Sequence, residues 1–531
     1  MNENTLNEKR PVRFFNTTGP CNPWDHYMLP PAERLIGAQL DRYIRDKLYW
    51  VLHAPRQTGK TTFLQAWARE INAEGSMTAC YVSVEECQGI DERAEANSII
   101  YQAICRFAGW ANIPVPKIEG DTSDIQLSAT LGKWAALVAP KPLIVLFDEV
   151  DVLAGDPLIS FLRQLRGGFA ERGAGKFPIS IVLVGMRDLK DYITAAKDGK
   201  PVNPGSPFNI KEDSAVIGNF RKQDIQRLFA QRTEETGQQI TEDALDYVWE
   251  QSRGQPWIVN SLFKRATMRV LTEDDYSTVT IAHTKKAREQ MIRARETHLD
   301  ALAVRLQDDR IRKIVETLMS GETDQFLTQS REFEYCLDLG LVSKEKGTPQ
   351  ISNPIYREVL ARQITEGQQD AIVEPEWEWE KPDGTLDMDA LLKEFQKFWR
   401  ANSEVWEAQR NQRFSYTEAF PHLLLQAFLQ RVLNGGGSVD REYAAGRGRM
   451  DLAVEYNGKK YIIEIKLIYD YSSPQTVRED GLKQITKYRD TIDSSAPSYL
   501  VIFDRRAEGK KLPWDERIKW ETENGITVLG C

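Results

Sequence analysis

Asn457-Gly458, set between two alternating runs, is the feature that most constrains what this chain can fold into. A two-residue Asn-Gly loop favours a type I′ hairpin, and such a loop fixes the register of the strands that flank it. With Tyr456 paired to Lys459, Asp451 falls opposite Glu464, and Lys466 lies two residues further along the same face. One face then carries Met450, Leu452, Val454, Tyr456, Tyr461, Ile463, Ile465 and Leu467, which reads as a core. The other carries Arg449, Asp451, Glu455, Lys460, Glu464 and Lys466. Like charges opposed on a strand pair are unfavourable, so Asp451 and Glu464 ask for a cation. Their carboxylates, the Ile465 carbonyl and water make a hard-oxygen set suited to Mg²⁺ or Mn²⁺, beside which Lys466 can orient or polarise an attacking water. On geometry alone, a solvated charged face of a half-buried hairpin accounts for the pattern equally well.

Further residues tip that balance. The segment RMDLAVEYNGKKYIIEIK (449–466) resembles the PD-(D/E)XK nuclease superfamily, the restriction-endonuclease-like fold, with Asp451 in the aspartate position and Glu464-Ile465-Lys466 as the E-x-K element. Gln484 and Tyr488, one helical turn apart in GLKQITKYRD, match the Gln-x-x-x-Tyr element of many members, which implies a catalytic part for Gln484. Glu418, in SYTEAFPHLLLQAFLQRVL, corresponds to the glutamate that a first helix adds to the metal site. Ser415 to Glu418 also spells a capping box, and Pro421 complicates the helix start. Arg447 and Arg449 stand just before the metal aspartate, where a guanidinium suits a phosphodiester; ordinary loop charge explains them too.

A second site lies near the amino terminus. Residues 54–62 read APRQTGKTT after the apolar run Leu48 to Leu52 and before the helix-like FLQAWAREI, the strand, loop and helix that a P-loop requires. Gln57, Thr58, Gly59 and Thr62 belong to the phosphate cradle, Lys60 reaches the β and γ oxygens, and Thr61 ligates Mg²⁺. The departure from the pattern is Ala54, where a glycine is expected. Its partner is LIVLFDE (143–149), an apolar strand ending in Asp148, which would hold Mg²⁺, and Glu149, which would polarise the hydrolytic water.

Downstream, ISIVLVG (179–185) ends in Met186-Arg187-Asp188, where AAA+ and STAND-type ATPases place a phosphate sensor, and Arg187 is the candidate. SRGQPWIVNSLFKRA (252–266) resembles the Gly-x-Pro sensor-2 segment of STAND and origin-recognition-like branches, in which Pro256 would contact adenine. Gly254 and Pro256 would break two helices in any case. FFNTTGPCNPWDHYMLPPAERL (14–35) resembles the segment before the P-loop in bacterial AAA-like proteins fused to nuclease domains, where it would wrap the adenine side.

The expected fold class is therefore α/β multidomain. A P-loop ATPase core with its amino-terminal segment (1–218), a parallel sheet between helices, is followed by a helical lid (219–295). A winged-helix domain (296–365), an acidic linker (366–386) and a restriction-endonuclease-like α/β/α domain (387–531) complete it. The helix 331–339 carries Glu332, Glu334 and Asp338 against one arginine, so phosphates would repel it and a structural or relay role is preferred. Trp377 and Trp379 are expected to dock on a neighbouring domain. At 531 residues and 41% hydrophobic content the chain can bury more than one core.

A net charge of −9 excludes indiscriminate coating of nucleic acid, so any contact must be local. Six cysteines without a C-x-x-C pair, and five histidines, argue against zinc and against a disulfide framework. The opening MNENTLNEKR lacks a hydrophobic signal core and no apolar stretch nears membrane-spanning length, so no membrane partner and a cytoplasmic location are expected.

The expected function is ATP-controlled, Mg²⁺-dependent hydrolysis of phosphodiester bonds in nucleic acid, with DNA favoured over RNA. The resemblance suggests defence against mobile elements or DNA processing. Homo-oligomerisation and a protein trigger stay open. In the alternative, the chain is a STAND-like ATP-driven signalling switch whose nuclease-like domain is a non-catalytic binding module; intact Asp451, Glu464 and Lys466 count against it.

Overall fold

A computed structural model describes residues 12–115, 117, 125–186, 211–294, 297–320, 327–345, 347–364, 379, 381–409, 419–432, 437–445, 448–506, 508–517 and 519–531. The chain divides into two compact units, Met1–Asp300 with Gln329–Ile355, and Ala301–Thr328 with Tyr356–Cys531. The region 296–365, expected as one domain, thus contributes to both.

In the first unit the strands are β1 (Leu35–Ile36), β2 (Tyr49–His53), β3 (Thr78–Ser83), β4 (Leu143–Asp148), β5 (Ser180–Gly185) and β6 (Lys211–Ile217), in the order β1-β6-β2-β5-β4-β3. All neighbours pair in parallel except the antiparallel edge strand β1. Every residue of β4 and β5 is buried, as continuous apolar runs covered on both faces must be. Alternate residues feed two cores. Tyr49 and Val51 join Ile100, Leu131 and Phe161 from α2 (Arg93–Trp110), α3 (Leu127–Leu137) and α4 (Gly155–Phe169). Trp50 and Leu52 join Phe63, Leu64 and Trp67 of α1 (Lys60–Glu74), the helix that follows the P-loop.

Four helices come next, α5 (Lys222–Thr236), α6 (Glu242–Ser252), α7 (Pro256–Arg265) and α8 (Ile281–Arg293). Pro256 sits at the start of α7, where its missing N–H costs nothing, and the Gln255 side chain accepts from Ile258 N at 2.7 Å. Before it, Gly254 has φ +76 and exchanges closely with Phe220, whose N–H donates to the Gly254 carbonyl at 2.8 Å. This unit also holds α9 (Arg331–Asp338), capped by Ser330, and the hairpin of β7 (Val342–Glu345) and β8 (Thr348–Ile351).

The sheet of the second unit runs β13-β14-β12-β11-β10-β9, from β9 (Gly437–Ala445), β10 (Gly448–Tyr456), β11 (Lys459–Ile468), β12 (Ser498–Asp504), β13 (Trp520–Glu523) and β14 (Ile526–Gly530). Asn457 (φ 47) and Gly458 (φ 78) are both left-handed, as a type I′ turn demands, and the ladder runs from Tyr456↔Lys459 to Leu452↔Ile463. Leu452, Val454, Tyr461, Ile463 and Ile465 enter the core with α10 (Met388–Gln409) and α11 (Ala419–Val432), through Leu391, Phe395, Leu425 and Phe428. The opposite face is not an open charged surface. Ala453 and Ile462 lie on it and pack with Tyr488 of α12 (Pro474–Ile492), so Glu464 is only 3% exposed. The end of the expected linker belongs to this unit as well. Trp379 packs on its core, Leu386 N donates to the Tyr461 hydroxyl at 3.0 Å, and Asn457 Nδ2 donates to the Gly384 carbonyl at 2.9 Å. Trp377 lies outside the described residues.

A β-carbon on Gly254 would stand 1.9 Å from the Phe220 carbonyl oxygen. Backbone cannot rotate away, so Gly254→Ala should destabilise the first unit by roughly 1–3 kcal/mol, read by calorimetric unfolding of the full chain.

Candidate nucleotide and metal sites

β2 delivers the P-loop to the carboxyl ends of the parallel strands, where doubly wound sheets place their ligands. Ala54 is buried and needs no left-handed backbone; the loop takes positive φ at Gln57 (58°) and Gly59 (97°) instead. The loop lines a cavity of about 330 Å³, together with Glu149, the amino-terminal residues Tyr27, Met28, Leu29 and Arg34, and Pro256, Trp257 and Asn260. Of the residues singled out from sequence, Gln57, Thr58, Gly59, Lys60, Thr61, Thr62, Glu149 and Pro256 all line it. Arg187 lies outside the described residues.

Lys60 is buried and its Nζ donates to the carbonyls of Ala54 (2.8 Å) and Pro55 (3.0 Å). Burial pulls its ammonium below the ordinary value, against Glu149 and Asp148. Thr61 Oγ1 donates to Asp148 Oδ2 at 2.6 Å, so hydroxyl and carboxylate present oxygens to one place, a pair that fits a hard cation. Tyr81, which the sequence did not single out, donates to the same oxygen at 3.2 Å, and Glu149 N donates to Asp148 Oδ1 at 3.0 Å. Glu149 itself is left-handed (φ 58), and burial beside Asp148 and Asp151 pushes its carboxyl up to about 7. Cys21 N donates to Thr62 Oγ1 at 3.0 Å, which pins the amino-terminal segment to the start of α1. No spacing rule links Cys21, Arg34 or Tyr81 to the loop; only the folded chain brings them there.

In the second unit the β10–β11 ladder stops one step short of Asp451 and Glu464. Asp451 Oδ2 accepts the Ile465 N–H at 2.7 Å in place of a strand carbonyl. The N–H and C=O of a strand residue point to the same edge, so the Ile465 carbonyl is turned toward Asp451. Glu464 Oε1 accepts from Lys466 Nζ at 2.8 Å, whereas its buried Oε2 has no hydrogen-bond partner. Burial and the Asp451 charge hold the Glu464 carboxyl well above its ordinary range. Tyr488, raised to about 12 by burial and by Glu464 and Asp451, closes the same corner, while Gln484, one turn earlier on α12, is exposed. Among the described residues the two acids form a pair rather than a cluster of three, and Glu418 and Arg447 lie outside those residues. A bare, buried carboxylate oxygen beside a second carboxylate and a carbonyl is a donor set that fits Mg²⁺ or Mn²⁺.

A raised carboxyl value favours the protonated folded form, so its stability contribution is complete below the ordinary range and lost as pH rises through the raised value. In chelator, the unfolding temperature of the full chain should fall between about pH 5 and about pH 8, and Glu464→Gln should lessen that fall. Mg²⁺ should restore the wild type at the higher pH and leave the variant unmoved.

The family model described as the PD-(D/E)XK nuclease superfamily matches residues 416–502. No curated protein matches the chain. Among solved structures the chain is similar to a Walker-type ATPase of Pyrococcus abyssi, at 14% identity over 65% of this chain and 99% of that one, with a TM-score of 0.48. It is also similar to Cdc6p from Pyrobaculum aerophilum (14%, covering 62% and 91%, TM-score 0.34). The RuvB Holliday junction branch migration motor of Thermotoga maritima gives 13%, 60%, 91% and 0.32 in the same terms. The chain thus joins a parallel sheet of P-loop type, with its loop after β2 and its acids at the end of β4, to a carboxy-terminal region whose residues 416–502 match the PD-(D/E)XK nuclease superfamily.

Proposed function

We propose that this protein is an ATP-controlled, Mg²⁺-dependent nuclease that hydrolyses phosphodiester bonds, with DNA as the favoured substrate and with defence or DNA processing as its setting. The observation that carries this is Glu464, whose Oε2 is bare beside Asp451 while Oε1 takes Lys466. A divalent ion held by Asp451, Glu464 and the Ile465 carbonyl, with Glu418 as a further ligand, would supply Lewis acidity at the scissile phosphate. Lys466 orients the attacking water, Gln484 acts from the open side of α12, and Arg447 and Arg449 position the backbone of the substrate.

In the other unit, Lys60 leaves the Ala54 and Pro55 carbonyls for the phosphates, Thr61 and Asp148 hold Mg²⁺, and Pro256 meets the adenine. Glu149, with a carboxyl near neutrality, takes a proton from the hydrolytic water, and Arg187 senses the γ-phosphate. The 296–365 region serves as a winged-helix relay. A β-carbon on Gly340 would stand 2.7 Å from Pro55 Cγ, so the turn after α9 rests on the P-loop itself.

The test is cleavage of plasmid, single-stranded DNA and RNA with Mg²⁺, with and without ATP. Lys466→Ala should lower cleavage at least about 100-fold. Lys60→Ala should abolish the ATP dependence and leave the Mg²⁺ requirement intact. A wild type that binds ATP and cuts no substrate would retire the nuclease in favour of the signalling switch.

A further inference from the structure

Arg34 ends the short turn Pro31–Arg34 and lines the nucleotide cavity. Its carbonyl accepts from Gly218 N at 2.9 Å and its Nη1 donates to the Gly218 carbonyl at 3.0 Å. One residue therefore holds Gly218 from both sides, at the junction between β6 and α5. The guanidinium carbon lies 4.8 Å from the centre of the Phe220 ring, and Phe220 is the residue that Gly254 grips. On the other side, a β-carbon on Gly59 would stand 2.6 Å from Arg34 Nη2, which sets the guanidinium against the P-loop immediately before Lys60.

A guanidinium carries five N–H donors and no acceptor. Among the described residues the Arg34 side chain donates only to the Gly218 carbonyl and pairs with no carboxylate. Its neighbour Glu33 is spent elsewhere, on Arg227 at 2.6 Å, and Arg13 has Glu235 at 2.9 Å. Asp224 attracts Arg34 from beyond ion-pair distance but is itself paired with Arg221 at 3.1 Å and Arg227 at 3.5 Å, and burial lowers the Arg34 value to about 10. Arg34 is half-buried, and a guanidinium that faces a cavity with most of its donors unused is placed to gain from an anion bound there.

We propose that the phosphate of the bound nucleotide is that anion: Arg34 contacts it in cis and, through Gly218 and Phe220, ties its presence to the start of the lid helices. This rests on the cavity being the ATP site. It adds a phosphate contact from the amino-terminal segment to those of the P-loop.

The test titrates ATP, ADP and adenosine into the full chain by calorimetry, for wild type, Arg34→Met and Arg34→Lys, alongside thermal unfolding without nucleotide. Arg34→Met keeps the apolar stem on Phe220. It should lose affinity for ATP and ADP by about 10- to 100-fold, keep its affinity for adenosine, and unfold no earlier than the wild type when nucleotide-free. Arg34→Lys should recover part of the loss. Equal ATP affinity in Arg34→Met, or a matching loss for adenosine with earlier unfolding, would make Arg34 a strut and overturn the proposal. A wild type that binds no ATP would instead remove the ATP reading on which it stands.

Discussion

Taking an ion out of water costs more than a single hydrogen bond returns, and this chain does so at both of its sites. Glu464 keeps one buried oxygen bare, Glu149 is crowded by Asp148 and Asp151, and Arg34 faces a cavity with one carbonyl for company. These groups are held by elements whose own packing is apolar and continuous, the two faces of the parallel sheet in the first unit and the α10–α11 core in the second. The rigid cores make the electrostatic debt persistent. Glu464 is buried outright, whereas Glu149 and Arg34 are half-buried and line one cavity, so each site holds charge where a ligand can meet it.

Much of this was legible in the sequence because it depends on local rules. Asn457-Gly458 dictates its own backbone, and the register that follows places Asp451 beside Glu464 without any knowledge of the rest of the chain. The loop from Ala54 to Thr62 and the apolar strand ending in Asp148 are likewise short and recognisable from contiguous residues. Of the two readings given to the charged face of the hairpin, the solvated one counted its charges and passed over Ala453 and Ile462, which pack under Tyr488. Arg34 lies in the segment 14–35 that was expected near the nucleotide, but nothing marked it out within that segment. Its meaning lies in Gly59 and Gly218, partners distant in sequence that only the sheet brings near. Trp379 was expected to dock from its composition alone, whereas the bonds from Gly384 and Leu386 to the hairpin sat within an acidic, linker-like run and carried no signal.

The two sites also differ in how their polar groups are satisfied. Lys60 bonds to carbonyls of its own loop, so on the proposed function it would exchange one set of hydrogen bonds for another as phosphate entered. Asp451 is anchored by a backbone N–H and is not free to swing. The lysine of the loop is thus held by bonds that a ligand could replace, and the aspartate of the hairpin by one that fixes it in place.

The division of the chain has a consequence for its synthesis. The first unit is not closed by a single stretch, because residues 329–355 return to it after 301–328 have gone to the second. A ribosome that has released the first 300 residues has therefore made a first unit that still lacks a piece, and the next segment to emerge, 301–328, belongs with residues from Tyr356 onward that are not yet made. The two units are interleaved along the chain, so no single cut separates one from the other with both intact.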